Sequence, residues 1–393
     1  MKYQNHAAEF LRLGLVLGAL SLPANVSLAQ APADSGINLT TPLDWQVVQR
    51  QSFRQGVVNV AGKCALDCDR IEVRVTRGKT YTDTAYQTNW LPTALQAGTK
   101  EFAASLTVPA GGWYAMELRA MKGETVIGAK QVDHVGVGEV FVIAGQSNAA
   151  NYGEEQQQPK TGMVANFTGS NWQLANDPQP GASGGGGSFI PPFGDAVAER
   201  FKVPVGIISC GIGATSVREW LPKGATFPEP PTLEGNVTKL ADHSWASNGA
   251  AFNMLVGRMK QLGPNGFRAV LWHQGESDAN QPDPKRTLNQ AQYRKHLEQI
   301  IVELRREIGW NAPWFVAQVS YHTPADTSSP QIRAAQKSLW DDKVALEGPD
   351  SDALKGDLRQ DNGQGVHFSG KGLREHGGRW AEKVGAWLVK MER

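Results

Sequence analysis

"EVFVIAGQSNAANYGEE", Glu139–Glu155, is the stretch on which the reading of this chain turns. An apolar run from Val140 to Ala144 leads straight into Gly145-Gln146-Ser147-Asn148, and a polar segment follows. A near-continuous apolar run is the mark of a strand buried on both faces, as in a parallel sheet. A serine between two amides at the exit of such a strand stands where open α/β sheets bind ligands, and the preceding glycine permits a tight turn.

Toward the C-terminus the same pattern repeats. "VPVGIIS", "AVLWHQ" and "WFVAQVS" are further apolar strands, separated by segments with helical spacing. "AAFNMLVGRMKQLG" puts Phe252, Leu255, Val256 and Met259 on one side, and "NQAQYRKHLEQIIVELRREIG" does so with Tyr293, Leu297, Ile300, Ile301 and Leu304. Alternating strands and helices imply βαβ units, a parallel sheet and right-handed crossovers. The glycine-rich run "GASGGGGSF", 181–189, lacks the Lys and Ser/Thr of a phosphate-binding loop and reads as a flexible surface loop.

Upstream of about Gly136 the period is two. Ile71, Val73 and Val75 alternate with polar residues, as do Phe102, Ala104, Leu106 and Val108, and Tyr114, Met116 and Leu118 follow a Gly-Gly turn. Short strands with Gly/Pro/Asp turns predict a small Ig-like β-sandwich accessory domain over 36–136, with Trp90 and Trp113 in core or interface roles. It runs through "DHVGVGEVFVIAG" into residues 137–393 with no Pro/Gly/Ser tether, which predicts a brace with a fixed interface.

Residues 1–29 read as a cleaved export signal: Lys2 and Arg12 precede the apolar run Leu13 to Leu22, and Ser27-Leu28-Ala29 supplies small residues for cleavage. That run is too short for a spanning helix, which needs roughly 20 apolar residues. The mature chain is therefore expected to be periplasmic or secreted, without a membrane span. In an oxidising compartment Cys64 and Cys68 are candidates for a disulfide, against the reading of two free thiols. The 393 residues carry a formal net charge of +1, which gives no electrostatic case for nucleic acid or an anionic membrane as partner. Partners must be argued from a site.

Three more stretches carry polar groups at strand ends. "SCGIGATSVREW" offers Gly211 and Gly213 as places where backbone can turn toward a bound oxygen. "LWHQGESD" crowds Gln274, Glu276 and Asp278 at a buried strand end, which is costly unless each has a partner or ligand. A metal reading from His273, Glu276 and Asp278 is disfavoured, since alternate strand residues point to opposite faces. In "GQGVHFSGKGLREHG", His367 precedes Ser369, a candidate N-cap for a terminal helix with Trp380, Val384 and Trp387. His367 is thus placed to act as base for a serine on the first strand; His134, His243, His273, His296, His322 and His376 compete for that role.

The quartet "GQSN", "GIGATS", "HQGES" and "GVHFSGKG", in this order, resembles the SGNH hydrolase superfamily and within it the sialate O-acetylesterase-like carbohydrate esterases. The resemblance covers Val137 to the C-terminus. It implies a flavodoxin-like three-layer α/β/α domain with a parallel sheet, and serine esterase chemistry on O-acetylated sugars, sialic acid or other polysaccharide or oligosaccharide. It also implies Ser147 as nucleophile, His367 as base, and Ser147 N–H, Gly213 N–H and the Gln274 side chain as oxyanion donors, with neither cofactor nor metal. Superfamily members commonly place an aspartate three residues before the histidine, where this chain has Gln364. The group orienting His367 is then Asp361, Glu276 or a backbone carbonyl in a dyad. The same departure supports the alternative: a non-catalytic carbohydrate-binding protein with a degenerate site.

Overall fold

The strand Thr125–Gly145 organises the chain. Its second half alternates with the pleat: Val140, Val142 and Ala144 face one apolar cluster, Phe141 and Ile143 another, and all five are buried. Burial on both sides is the physical meaning of the uninterrupted apolar run. The structure, a computed structural model, describes residues 35–96 and 98–392, so the export signal expected over 1–29 lies outside the described residues.

In a mixed sheet the strands follow the order Trp172–Leu174, Val164–Phe167, Val205–Ser209, Thr125–Gly145, Ala269–His273, Trp314–Gln318, Leu346–Asp350. Neighbours along this path are parallel except the edge strand Trp172–Leu174. After the central strand the chain builds one side of the sheet, then crosses over to build the other. Connections therefore diverge at the Gly145 end of the central strand, which is where such sheets open a crevice.

Helices cover both faces. Ile190–Phe201 and Gly370–Glu392 pack with Phe141 and Ile143, while Ala250–Gln261, Gln290–Ile308 and Pro330–Asp341 pack with Val140, Val142 and Ala144. The two helices read from periodicity bury the residues expected of them, from Phe252 to Met259 and from Tyr293 to Leu304. Asn289 and Gln292 form a capping box at the start of Gln290–Ile308. Ser369 Oγ accepts from Gly372 N at 3.1 Å, the N-cap expected for the terminal helix.

Upstream, Ile37–Thr41, Gln55–Cys64 and Glu101–Pro109 form an antiparallel sheet, and Arg70–Thr76 pairs with Gly111–Lys122. Val58, Val60, Leu106 and Val108 meet Ile71, Val73, Tyr114, Met116 and Leu118 in one apolar cluster, as the period of two requires. Gly111–Lys122 pairs with the first half of Thr125–Gly145, and Gln46–Gln49 pairs with Val135–Gly138, so one strand runs unbroken from these sheets into the parallel region. Where it enters, the buried Glu139 carboxylate accepts from Arg50 Nε and Arg268 Nε, each at 2.7 Å. Trp113 Nε1 donates to Gly162 O at 2.9 Å, and the guanidinium groups of Arg74 and Arg119 lie 4.4 and 4.2 Å from the centre of the Trp90 ring. Cys64 and Cys68 are thiols with sulfurs 3.2 Å apart.

The run 181–189 is not the flexible surface loop that its composition suggests. It docks on residues 151–155 through bridges between Asn151 and Gly184 and between Gly153 and Gly187. A Cβ at Gly187 would lie 1.9 Å from Glu155 O, so the small residues there serve close approach of two backbones.

Candidate active site

Gly145 turns the chain out of the central strand at φ +133°, and a Cβ there would lie 2.0 Å from His273 O. Only glycine fits. Ser147 starts the short turn Ser147–Ala149 and is 6% exposed. Among the described residues neither its Oγ nor its N–H has a hydrogen-bond partner. The flanking amides have structural work. Gln146 Oε1 accepts from Ser277 N at 3.0 Å and from Gln274 Nε2 at 3.2 Å, stapling the turn to the segment after Ala269–His273. Asn148 Nδ2 donates to Glu276 Oε1 at 2.9 Å and to Val366 O at 3.2 Å. Through that last bond the residue after Ser147 holds the residue before His367.

His367 is half-buried, with the Tyr152 ring 5.4 Å away at 31°. Burial, and then the neighbouring Arg359, push its imidazole down to about 4, while Asp361 pulls the other way. The ring is a neutral base at pH 7. Among the described residues none of Asp361, Glu276, Gln364 or a backbone carbonyl is hydrogen-bonded to its ring. Asp361 and Gln364 are exposed on the loop, and Glu276 is engaged with Asn148. Burial pushes the Glu276 carboxyl up to about 7, the Asn148 bond opposing, and its Oε2 has no partner.

The oxyanion donors also stand differently from expectation. Gln274 is buried, and its Nε2 faces Asp278 Oδ2 at 2.7 Å, Thr215 O at 3.1 Å and Gln146 Oε1 at 3.2 Å. Its Oε1 accepts from Tyr293 OH at 3.0 Å. An amide with two hydrogens and three protein acceptors has none left for a substrate oxygen. Asp278, the hub of that network, also accepts from Ser216 Oγ at 2.5 Å and pairs with the buried Arg218. Gly213 N–H donates to Ser183 Oγ at 2.7 Å, so the glycine-rich run reaches the site. Ser147 N–H is the predicted donor that stands free.

Of the competing histidines, His273 and His376 are buried against each other at 4.9 Å, and His296 is buried on its helix. His134 stacks on Trp45 at 3.7 Å, His243 is exposed, and His322 bridges Asp326 and Glu276 O, each at 2.7 Å. His273, Glu276 and Asp278 do not converge as a metal site would: they engage His376, Asn148 and Ser216 respectively. Among the described residues no cluster of His, Cys, Asp and Glu could hold a metal. A cavity of about 990 Å³ lies among residues such as Gln49, Trp172, Arg268 and Trp310, away from Ser147. Sequence reasoning missed Tyr152, Ser183 and Arg359. Tyr152 stood in the opening stretch, yet nothing local distinguishes it from a loop aromatic.

A search of curated protein sequences returns no match. Among solved structures, a carbohydrate acetylesterase from Xanthomonas citri, XAC1771, superposes with a TM-score of 0.52 at 18% identity, covering 90% of this chain and 76% of that one. This shows a shared fold. An Arabidopsis thaliana protein (TM-score 0.44, 19% identity, 64% of this chain, 98% of that one) and NanS (0.40, 18%, 64% and 97%) also match. No helix of the described residues is long and apolar enough to cross a membrane. The family model for carbohydrate esterases of the sialic acid-specific acetylesterase type matches residues 137–386, most of the chain. The chain belongs to that family and is a carbohydrate O-acetylesterase.

Proposed function

We propose that the chain removes acetyl groups from O-acetylated carbohydrate, sialic acid or other glycan, through an acyl-enzyme on Ser147. The observation that carries this reading is the Asn148–Val366 bond at 3.2 Å, which couples the turn bearing an unpartnered Ser147 hydroxyl to the loop bearing a neutral His367. A serine hydroxyl is a poor nucleophile at pH 7 unless an imidazole takes its proton as it attacks. Ser147 Oγ bonds to the acetyl carbon while His367 takes the proton; the sugar oxygen then leaves with that proton. Water, deprotonated by His367, releases acetate and restores Ser147. Ser147 N–H receives the charge that develops on the carbonyl oxygen, with Gly213 N–H joining when it turns from Ser183 Oγ. Losing one such donor costs about 10² to 10³ in kcat.

The architecture suits the reading as a flavodoxin-like three-layer α/β/α domain over 137–393, braced by a β-sandwich over 36–136 in an exported chain. Gln274 serves as organiser, holding Gln146, Thr215 and Asp278 together. The lack of a carboxylate on His367 favours a Ser-His dyad over a triad. Acetate release from an aryl acetate and a panel of O-acetylated sugars tests the assignment of Ser147 and His367. A fall of about 10³ or more in folded Ser147→Ala and His367→Ala is expected. Wild type that performs no better than its variants overturns the assignment of Ser147 and His367.

A further inference from the structure

Arg359 is 2% exposed, yet makes no ion pair with a carboxylate among the described residues. Its guanidinium is held by main-chain oxygens: Nε to Leu354 at 2.7 Å, Nη2 to Ser351 at 2.7 Å and Nη1 to Val366 at 2.6 Å. The rings of Tyr321 and Phe368 lie 4.1 and 4.3 Å from its centre. Glu276 and Asp352 favour its charge without bonding to it, and a buried cation with no carboxylate in contact is costly, so the carbonyls that hold it matter. Val366 O, the acceptor nearest His367 in sequence, also receives Asn148 Nδ2. Glu276, Asn148, Val366 O and Arg359 thus form one hydrogen-bonded chain from the Ser147 turn to the His367 loop.

We propose that Arg359 is the positioning residue for His367, clamping the peptide before the imidazole and so supplying the orienting part, though not the charge, of what a carboxylate does in a Ser-His-Asp triad. The proposal rests on the reading of Ser147 and His367 as the reacting pair. An imidazole with no acid behind it must be aimed from elsewhere. Here the Tyr152 ring bounds one side, and the clamped Val366 peptide fixes the backbone from which the side chain departs. The cation also acts on the ring by charge. It opposes protonation, whereas Asp361 from the same loop favours it; the other ionisable groups facing Arg359 or His367 are Glu276, Asp352, Tyr321 and Tyr152. With burial, this keeps His367 in its basic form in mildly acidic solution.

Two variants separate charge from geometry. Arg359→Gln keeps a donor for Val366 O and loses the cation; Arg359→Lys keeps the cation and loses the fork. The imidazole of His367 is titrated by NMR in the Ser147→Ala background, and kcat/KM for acetate release is followed against pH with Ser147 present. In Arg359→Gln the midpoint is expected to rise above the wild-type value, with burial still holding it below the ordinary imidazole range, and the acid limb of kcat/KM to move with it. In Arg359→Lys the midpoint is expected to stay low while kcat falls roughly tenfold or more and KM stays within about threefold. An Arg359→Gln midpoint equal to that of wild type, in protein folded by circular dichroism, overturns the proposal. Wild-type kcat in Arg359→Lys does so too. Should both variants be insoluble, Asn148→Ala removes the second donor to Val366 O: a lowered kcat with an unmoved midpoint supports the clamp, and an unchanged kcat overturns it. Wild-type protein without Ser147-dependent acetate release sinks the esterase reading and the clamp with it. Intact turnover with an unmoved titration sinks the clamp alone.

Discussion

Glu276→Gln separates charge from hydrogen bonding in the residue that braces Asn148. In the folded protein Glu276 is 3% exposed, and burial pushes its carboxyl from 4.5 up to about 7. Between those values the unfolded chain has released a proton that the folded protein keeps, so stability falls as pH rises through the window. The two limits are about 2.5 pH units apart, and at about 1.4 kcal/mol per unit the loss reaches about 3 kcal/mol above pH 7. Glutamine has no such proton, yet its Oε1 still accepts from Asn148 Nδ2. Urea unfolding at pH 5, 6, 7 and 8 is therefore expected to show variant and wild type nearly level at pH 5 and the variant more stable by up to about 3 kcal/mol at pH 8. A difference that does not change with pH refutes the reasoning, because linkage leaves no other outcome for a group buried as an acid. Turnover gives a second reading of the same variant. If Glu276 acts only through Asn148, kcat stays within about tenfold of wild type; a carboxylate that directly stabilised the imidazolium would cost about 10⁴ when neutralised.

Gly145→Ala places a Cβ 2.0 Å from His273 O at φ +133°, and a loss of about 3 kcal/mol or more is expected in thermal melts, together with lost turnover. Burial pushes His273 down to about 3 and His296 to about 4 from an ordinary 6.5. Below about pH 6.5 the unfolded chain therefore binds protons that the fold refuses, and each group is expected to remove about 1.4 kcal/mol per pH unit until its folded value is reached. His273→Phe should flatten that acid limb, and an unchanged limb counts against the assignment. Glu139→Ala leaves Arg50 and Arg268 facing each other without their shared carboxylate. A cost of about 3–5 kcal/mol in urea unfolding is expected, and a cost below about 1 kcal/mol would show that the network does not hold the sheets together.

The parallel sheet was legible because its signal is local. Five consecutive apolar residues, Val140 to Ala144, can be hidden only by covering both faces, and the structure does so with two different clusters. Tyr293 to Leu304 likewise state in their spacing which side of a helix is inward. The glycine-rich run was misread for the complementary reason. Its composition is that of a loose loop, but its glycines answer to Glu155 O and Asn151 O, some 30 residues away in sequence, and only the folded chain brings those atoms within reach of a Cβ. The short strands Thr226–Phe227, Val237–Lys239 and Trp245–Ser247 left no periodicity long enough to read.

At the site, residue types were legible and directions were not. Gln274 was rightly marked as an amide that a buried strand end must satisfy, but whether it turns to a ligand or to Asp278 depends on Ser216 and Arg218 arriving from another loop. Arg359 is the sharper case. In "GDLRQD" it looks like a solvated charge; it is buried because Tyr321 and Phe368 close over it and because three carbonyls point inward where it sits. The missing aspartate at Gln364 then changes meaning. A carboxylate behind the imidazole would stabilise the imidazolium, whereas burial beside Arg359 does the opposite and keeps the base neutral. On the proposed reading of Ser147 and His367 as the reacting pair, such a site gives up some stabilisation of the protonated intermediate and gains a base that remains deprotonated well below pH 7. Its acid limb should therefore lie lower than the ordinary imidazole value of about 6.5, and a kcat/KM profile that bends near 6.5 would contradict that view of the dyad.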